Sequence, residues 1–72
     1  MTLTVILEPG PPNWGSAASE GIGGVVAVTA PTRSAVIRVF RSALQSHLDY
    51  LRDAGKPVPV VENLEFREVV PA

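Results

Sequence analysis

His47 is the only histidine in the chain, and there is no cysteine. An imidazole can act as a general base or bind a metal, but it needs further ligating groups beside it to complete a metal site. A lone histidine on the apolar face of a helix is more often held by a hydrogen bond inside the fold. We therefore expect a structural role for His47, and the sequence predicts no catalytic residue, no metal and no cofactor.

The carboxylates offer no better site for chemistry. The seven acidic residues are Glu8, Glu20, Asp49, Asp53, Glu62, Glu65 and Glu68. Asp49 and Asp53 are four residues apart, so they share one face of a helix, where such a pair is usually solvated. Nothing in the spacing of the others gathers the carboxylates that a metal-dependent hydrolase needs. The chain is therefore predicted not to be an enzyme.

The glycine-rich segment 21–24 has a partial likeness to a phosphate-binding loop. A dinucleotide-binding loop follows a strand and opens a helix. Here the next residues, 25–29, are β-branched and small, which is typical of a strand. The segment is therefore predicted to be a turn, in which glycine supplies the positive φ angles.

Three arginines, Arg38, Arg41 and Arg52, follow one side of the predicted helix and form a candidate basic patch. The whole chain has six basic and seven acidic residues, and its net charge of −1 gives no electrostatic footprint for nucleic acid or an anionic membrane. We expect the arginines to be solvated.

Trp14 is a candidate anchor for a partner protein, because tryptophan is enriched in binding hot spots. Packing of Trp14 in the core is an equally good account.

The elements that would position these residues follow the order β-β-β-α-β. Strands are predicted over residues 3–7, 13–20, 25–29 and 60–70, and a helix over 32–54. The second strand is supported only by its place between two clearer ones. The last strand should run parallel to the first after a right-handed crossover. The sequence thus predicts one α+β domain over residues 1–72, a single sheet with one helix packed on one face.

The helix carries the strongest periodic signal in the chain. Its apolar residues recur at spacings of three and four, which is typical of an amphipathic helix. They are Val36, Val39, Phe40, Ala43, Leu44, His47, Leu48 and Leu51. Thr32 is the predicted N-cap, Gly55 the residue just beyond the C-terminus, and Pro57 prevents continuation.

Size and termini bear on assembly and location. A 72-residue domain buries only about 60% of the surface of its unfolded chain, and no disulfide can reinforce it. One helix also leaves one sheet face and a strand edge uncovered, so we expect a homodimer or a higher homo-oligomer.

The sequence has neither a signal peptide nor an apolar stretch of membrane-spanning length. We expect a cytoplasmic protein that does not bind membranes.

Residues 43–59 resemble the corresponding stretch of the HicB-type antitoxins of bacterial toxin–antitoxin pairs. Members of that family end the helix with an alanine, a His-Leu pair, a Leu-Arg pair and a Gly-x-Pro-x-Pro exit. Here these are Ala43, His47-Leu48, Leu51-Arg52 and residues 55–59. Asn13-Trp14, Thr32-Arg33 and the opening strand 2–8 also fall where the family has similar residues. Segment 17–24 departs from the family's usual Asp-Leu-Pro-Gly turn.

The resemblance implies a partial RNase-H-like fold and a small, basic, RNA-cleaving toxin as the partner. It implies that the chain is a non-catalytic antitoxin that covers the active site of this toxin. The candidate contacts are Trp14, Glu62, Glu65 and Glu68, with Glu65 pointing away from the core. Many members carry a C-terminal DNA-binding domain, whereas this chain stops at Ala72, so specific DNA binding is not expected. The alternatives are a nucleic-acid-binding or hydrolytic RNase-H-like domain, and a stand-alone oligomeric domain of unknown role.

Overall fold

The computed structural model describes residues 1–69 of the chain. Its elements are β1 (Thr2–Gly10), β2 (Asn13–Ala18), β3 (Val26–Ala30), α1 (Arg33–Asp53) and β4 (Asn63–Glu68). The strands form one mixed sheet in the order β3-β2-β1-β4, in which β1 pairs antiparallel with β2 and parallel with β4. The predicted α+β class, element order and parallel last strand are confirmed. The predicted final strand ended at Val70, which lies outside the described residues.

Strand β1 shows why the sheet has one buried face. Leu3, Val5 and Leu7 are buried, and the residues between them are exposed. This alternation follows from the two-residue period of a strand. The strand is longer than predicted, because Pro9 and Gly10 continue the pairing with β2. The register with β4 ends at Leu7, so β1 has only one paired neighbour where Pro9 removes a backbone N–H.

Strand β2 consists mostly of small residues and ends at Ala18, two residues earlier than predicted. Ser16 and Ala18 are buried on the face that α1 covers, and small side chains there allow the helix to approach the sheet. The Ser16 hydroxyl is buried and has no hydrogen-bond partner within residues 1–69. The turn predicted over 21–24 is confirmed, since Gly21, Gly23 and Gly24 all have positive φ.

Helix α1 begins and ends where its caps predict. Thr32 has extended backbone angles, and its hydroxyl accepts a hydrogen bond from the Ala35 N–H at 3.1 Å. Gly55 follows the last turn with a φ of 70°. Four helix residues are fully buried: Val36, Phe40, Leu44 and Leu51. Val39 belonged to the predicted apolar stripe but is exposed on the flank of the helix. No helix in the described chain is long and apolar enough to cross a membrane.

Phe40 lies at the centre of the contact between helix and sheet. Its side chain is fully buried and meets the ring of Phe66 edge to face, with 6.4 Å between the ring centroids. Edge-to-face aromatic pairs add about 0.5–1.5 kcal/mol to the burial of the rings. Leu3, Val5 and Leu44 complete this part of the core. The helix covers one face of the sheet, and the opposite face is left open.

Replacing Phe40 with alanine should therefore remove much of the stability of the domain. We expect Phe40→Ala to lower the free energy of unfolding by about 3–5 kcal/mol, the usual cost of emptying a buried aromatic site. A domain of this size has in total only about 4–11 kcal/mol. Urea denaturation measures the loss. Arg38→Ala, on the exposed side of the same helix, is the matched control and should change stability by less than about 0.5 kcal/mol. Equal effects of the two substitutions would contradict this packing.

Candidate functional site

The three glutamates predicted to bind a partner lie along one edge of the sheet, on or beside β4. Glu65 pairs in register with Thr4, on the open face, as predicted from strand alternation. Glu68 pairs in register with Leu7, on the helix side, and Glu62 lies just before the strand begins at Asn63. Six residues of extended chain span about 20 Å. The carboxylates therefore form a line along the edge and not a cluster.

Each of these carboxylates has a cationic neighbour. Glu62 lies 3.5 Å from the amino group of Met1. Arg67 donates a hydrogen bond of 2.8 Å to Glu65. Arg33, in the first turn of α1, donates one of 2.8 Å to Glu68. All three pairs are solvent-exposed, so each contributes no more than about 1 kcal/mol and can exchange with a cation of another molecule.

The N-terminal residue fixes the chain just before β4. The amino group of Met1 donates a hydrogen bond to the Val60 carbonyl at 2.8 Å, and the Glu62 N–H donates one to the Met1 carbonyl at 3.0 Å. These bonds extend the pairing of β1 and β4 by two residues beyond the strand itself. The last strand was predicted to start at residue 60, whereas β4 starts at Asn63. Val60 and Glu62 form their hydrogen bonds with Met1, which lies before β1.

Trp14 is half-buried and lies at the opposite end of the sheet from Met1. It pairs in register with Pro9 on one side and Ala30 on the other. Its ring packs against a small cluster formed by Leu7, Ala30 and Val36. Trp14 therefore has a packing role, and its remaining exposed part lies at the same end of the sheet as Glu68.

The three arginines of the candidate basic patch are engaged to different extents. Arg41 lies over the ring of Phe66, with 5.5 Å from the guanidinium carbon to the ring centroid. Arg52 pairs with Asp49 at 3.3 Å and with Asp53 at 3.7 Å. Arg38 makes no ion pair with any residue from 1 to 69. The charge of Arg52 is thus partly balanced within the helix, and Arg41 is directed at the sheet.

His47 holds the glycine-rich turn against the helix, and the predicted internal hydrogen bond is present. Its Nε2 lies 2.6 Å from the Ile22 carbonyl oxygen. A carbonyl only accepts, so Nε2 carries the hydrogen. A Cβ at Gly24 would lie 3.0 Å from the imidazole ring, and a Cβ at Gly23 would lie 3.6 Å from the Leu51 side chain. The turn is therefore fixed by two helix side chains and by the buried Ile22.

The open face of the sheet contains a shallow depression that the sequence did not indicate. Its volume is about 490 Å³. It is lined by small and β-branched residues of the open face, among them Thr4, Ile6, Ala17 and Val25, and by two charged residues, Glu20 and Arg67. No three histidine or acidic side chains come close enough to hold a metal ion in the part of the chain that the structure covers.

The contact between His47 and the turn can be tested by removing the imidazole. We expect His47→Ala to lower the free energy of unfolding by about 1–3 kcal/mol, because the half-buried Ile22 carbonyl loses its partner. Amide hydrogen exchange should accelerate at residues 21–24 more than in the strands. Ser46→Ala, one residue earlier on the exposed surface, is the control. Exchange at the turn that is the same in both variants would refute the role of His47.

Compared with known proteins, the chain matches no family model, no curated sequence and no solved structure.

Proposed function

We propose that this chain is a non-catalytic domain that binds another protein, and that this partner is a small, basic, RNA-cleaving toxin that it neutralises. The observation that carries the proposal is the outer edge of β4. It is the end strand of the sheet, and it is accompanied along its length by Glu62, Glu65 and Glu68. An edge strand offers unpaired backbone groups to an extended segment of a partner, and charged side chains select which partner can approach.

The carboxylates suit a basic partner because their present cations are easily replaced. The amino group of Met1, Arg67 and Arg33 are all on the surface. A lysine or arginine of the partner can replace these cations at little cost in free energy, because the existing ion pairs are weak. Buried against the partner, the new pairs would be shielded from solvent and would gain strength. The sequence resemblance to antitoxins adds a reason to expect an RNA-cleaving toxin.

Trp14 would contact a partner that reaches from the β4 edge across the end of the sheet. It lies in β2, two strands from β4, on the same face and at the same end of the sheet as Glu68, and it is only half-buried. A partly exposed tryptophan is the type of residue that dominates many interfaces. Its packing against Leu7 holds the ring in one place, so little entropy is lost when a partner covers it.

The second function class, nucleic-acid binding or hydrolysis, has less support. Phosphate contacts need unpaired lysines or arginines on one surface. Arg41 is directed at Phe66, and Arg52 is paired with two aspartates. The net charge of −1 also opposes a polyanion. A stand-alone oligomeric domain is the remaining alternative. It agrees with our proposal on one point, since we also propose that this chain associates with itself.

Reversing the three carboxylates should abolish neutralisation of the toxin. The assay measures RNA cleavage by the product of the neighbouring gene, which the proposal requires to be short and basic, while purified protein is added. We expect wild-type protein to stop cleavage at a molar ratio near one. The variant Glu62→Lys, Glu65→Lys, Glu68→Lys should bind at least 10-fold more weakly, because three attractive charges become repulsive.

The matched control is the variant Glu20→Lys, Asp49→Lys, Asp53→Lys, which changes the net charge equally at positions away from β4. It should still neutralise the toxin. Full-rate cleavage in the presence of excess wild-type protein would contradict the antitoxin proposal. Equal loss in both triple variants would show that net charge, and not the β4 edge, controls binding.

The purified protein should not bind its own promoter DNA selectively. Within residues 1–69 no basic helix is free to enter the major groove, since α1 packs on the sheet and carries two aspartates near its end. A gel shift at about 150 mM salt, with promoter DNA and a scrambled duplex of equal length, measures selectivity. Retardation of the promoter alone would refute the expectation.

A further inference from the structure

The two edges of the sheet differ in charge. Strand β4 has Glu65, Arg67 and Glu68 at its edge. Strand β3 and the residue before it read Val-Val-Ala-Val-Thr-Ala, with no charge and no proline. Proteins normally protect an exposed edge with lysine, proline, a bulge or a covering segment. Within the described chain β3 pairs only with β2, so its outer edge has none of these.

The flank of the helix above this edge carries Val39, and towards the end of the helix it carries Tyr50, whose ring has the Lys56 ammonium 5.3 Å from its centroid. Helix α1 packs on β3, and Arg33 and Arg41 on its opposite flank contact β4 residues. Nine residues at 100° each place Tyr50 on the side of the helix opposite Arg41, and Val39 is close to the same side. Tyr50 is 55% exposed and Val39 is 37% exposed. Val25, just before β3, is 70% exposed.

We infer that β3 is the edge through which two copies of this chain pair. The pairing is antiparallel about a twofold axis at Val28 and gives a continuous sheet of eight strands. A twofold axis perpendicular to a sheet reverses the strand direction and keeps the faces, so both helices lie on the same side. The flanks that carry Val39 then meet above the joined strands, whereas Tyr50 lies beyond the end of β3, because His47 already lies against Gly24. The inference rests on the self-association proposed above and gives it a location.

A second copy fits this edge because the edge is complementary to itself. With the axis at Val28, Val26 opposes Ala30 of the second copy, and Ala27 opposes its Thr29. Small or β-branched residues thus meet one another on both faces, with no like charges opposed. A basic toxin would find no carboxylate on this side. The new backbone hydrogen bonds satisfy groups that otherwise face water.

The size of the contact predicts a weak dimer. Five residues of strand extend about 17 Å, and the strand and helix layers together are about 20 Å high. This footprint is smaller than the roughly 800 Å² per partner of a standard stable interface. The full surface of the chain is 4648 Å². We therefore expect a dissociation constant in the micromolar range and a monomer at nanomolar concentration.

Sedimentation velocity over a range of concentrations tests whether the chain associates. The variant Ala27→Lys, Thr29→Lys places lysines opposite one another across the twofold axis, on the open face where neither residue is part of the core. We expect its dimer dissociation constant to rise at least 10-fold. The control Asn63→Lys, Glu65→Gln raises the net charge equally at the other edge and should dimerise like wild type.

Cross-linking then tests the location, because the chain contains no cysteine of its own. In the paired strands the two copies of Thr29 are diagonal neighbours, about 7–8 Å apart. A short bismaleimide should join Thr29→Cys into a covalent dimer and leave Asn63→Cys monomeric. Cross-linking of Asn63→Cys instead would overturn the β3 interface while leaving self-association standing. A monomer at all micromolar concentrations would overturn both. Neither result affects the toxin assay, which is scored separately.

Discussion

One helix packed on one face of the sheet is the constraint on which the rest of this structure depends. The buried side chains of β1 point toward α1, and Phe40 and Phe66 join the two layers at their centre. A chain of 72 residues has no second helix within its described part to cover the other face. The open face and both sheet edges therefore meet solvent or another molecule. These surfaces and the outer face of α1 are the ones that a partner can reach.

The charges divide those surfaces between two kinds of partner. Side chains beside β4 are mostly ionised, with acidic groups held by weak, exposed ion pairs. Those beside β3 are small and neutral. A charged edge repels a second copy of itself where like charges meet, and it attracts a protein of complementary charge. A neutral edge does not discriminate by charge, so its partner is determined by shape and by backbone pairing. The same sheet can thus serve an unlike partner at one edge and a like partner at the other without competition between them.

Local sequence signals were sufficient for most of the fold. The Thr32 cap, the Gly55 exit and the spacing of the apolar residues fixed the helix to within a residue or two. The strands were less well bounded. Strand β1 was predicted to end at Leu7, but it continues through Pro9, because a missing N–H is tolerated where β4 no longer pairs, and that depends on a contact distant in sequence. The start of β4 was misplaced because the partner of residues 60–62 is the chain terminus, which no local pattern can indicate.

The site was less predictable for the same reason. Alternation correctly placed Glu65 on the open face, and the isolation of His47 correctly suggested an internal hydrogen bond. The partner of that bond, the Ile22 carbonyl, is 25 residues away. Two of the cations beside the three glutamates, the Met1 amino group and Arg33, are distant in sequence from their partners and pair only through tertiary contact, whereas Arg67 lies two residues from Glu65 in the same strand. The depression on the open face likewise exists only once four strands have been assembled.

The contact between His47 and the turn also limits which residues positions 24 and 47 can carry during evolution. Gly24 has a φ of 156° and faces the imidazole so closely that a methyl group there would touch the ring. A side chain at position 24 is therefore opposed twice, by the backbone angle and by the imidazole, and a smaller residue at position 47 removes only the second obstacle. Loss of the imidazole, in turn, releases the Ile22 carbonyl. Across related chains we expect glycine to be retained at position 24 even where position 47 has changed.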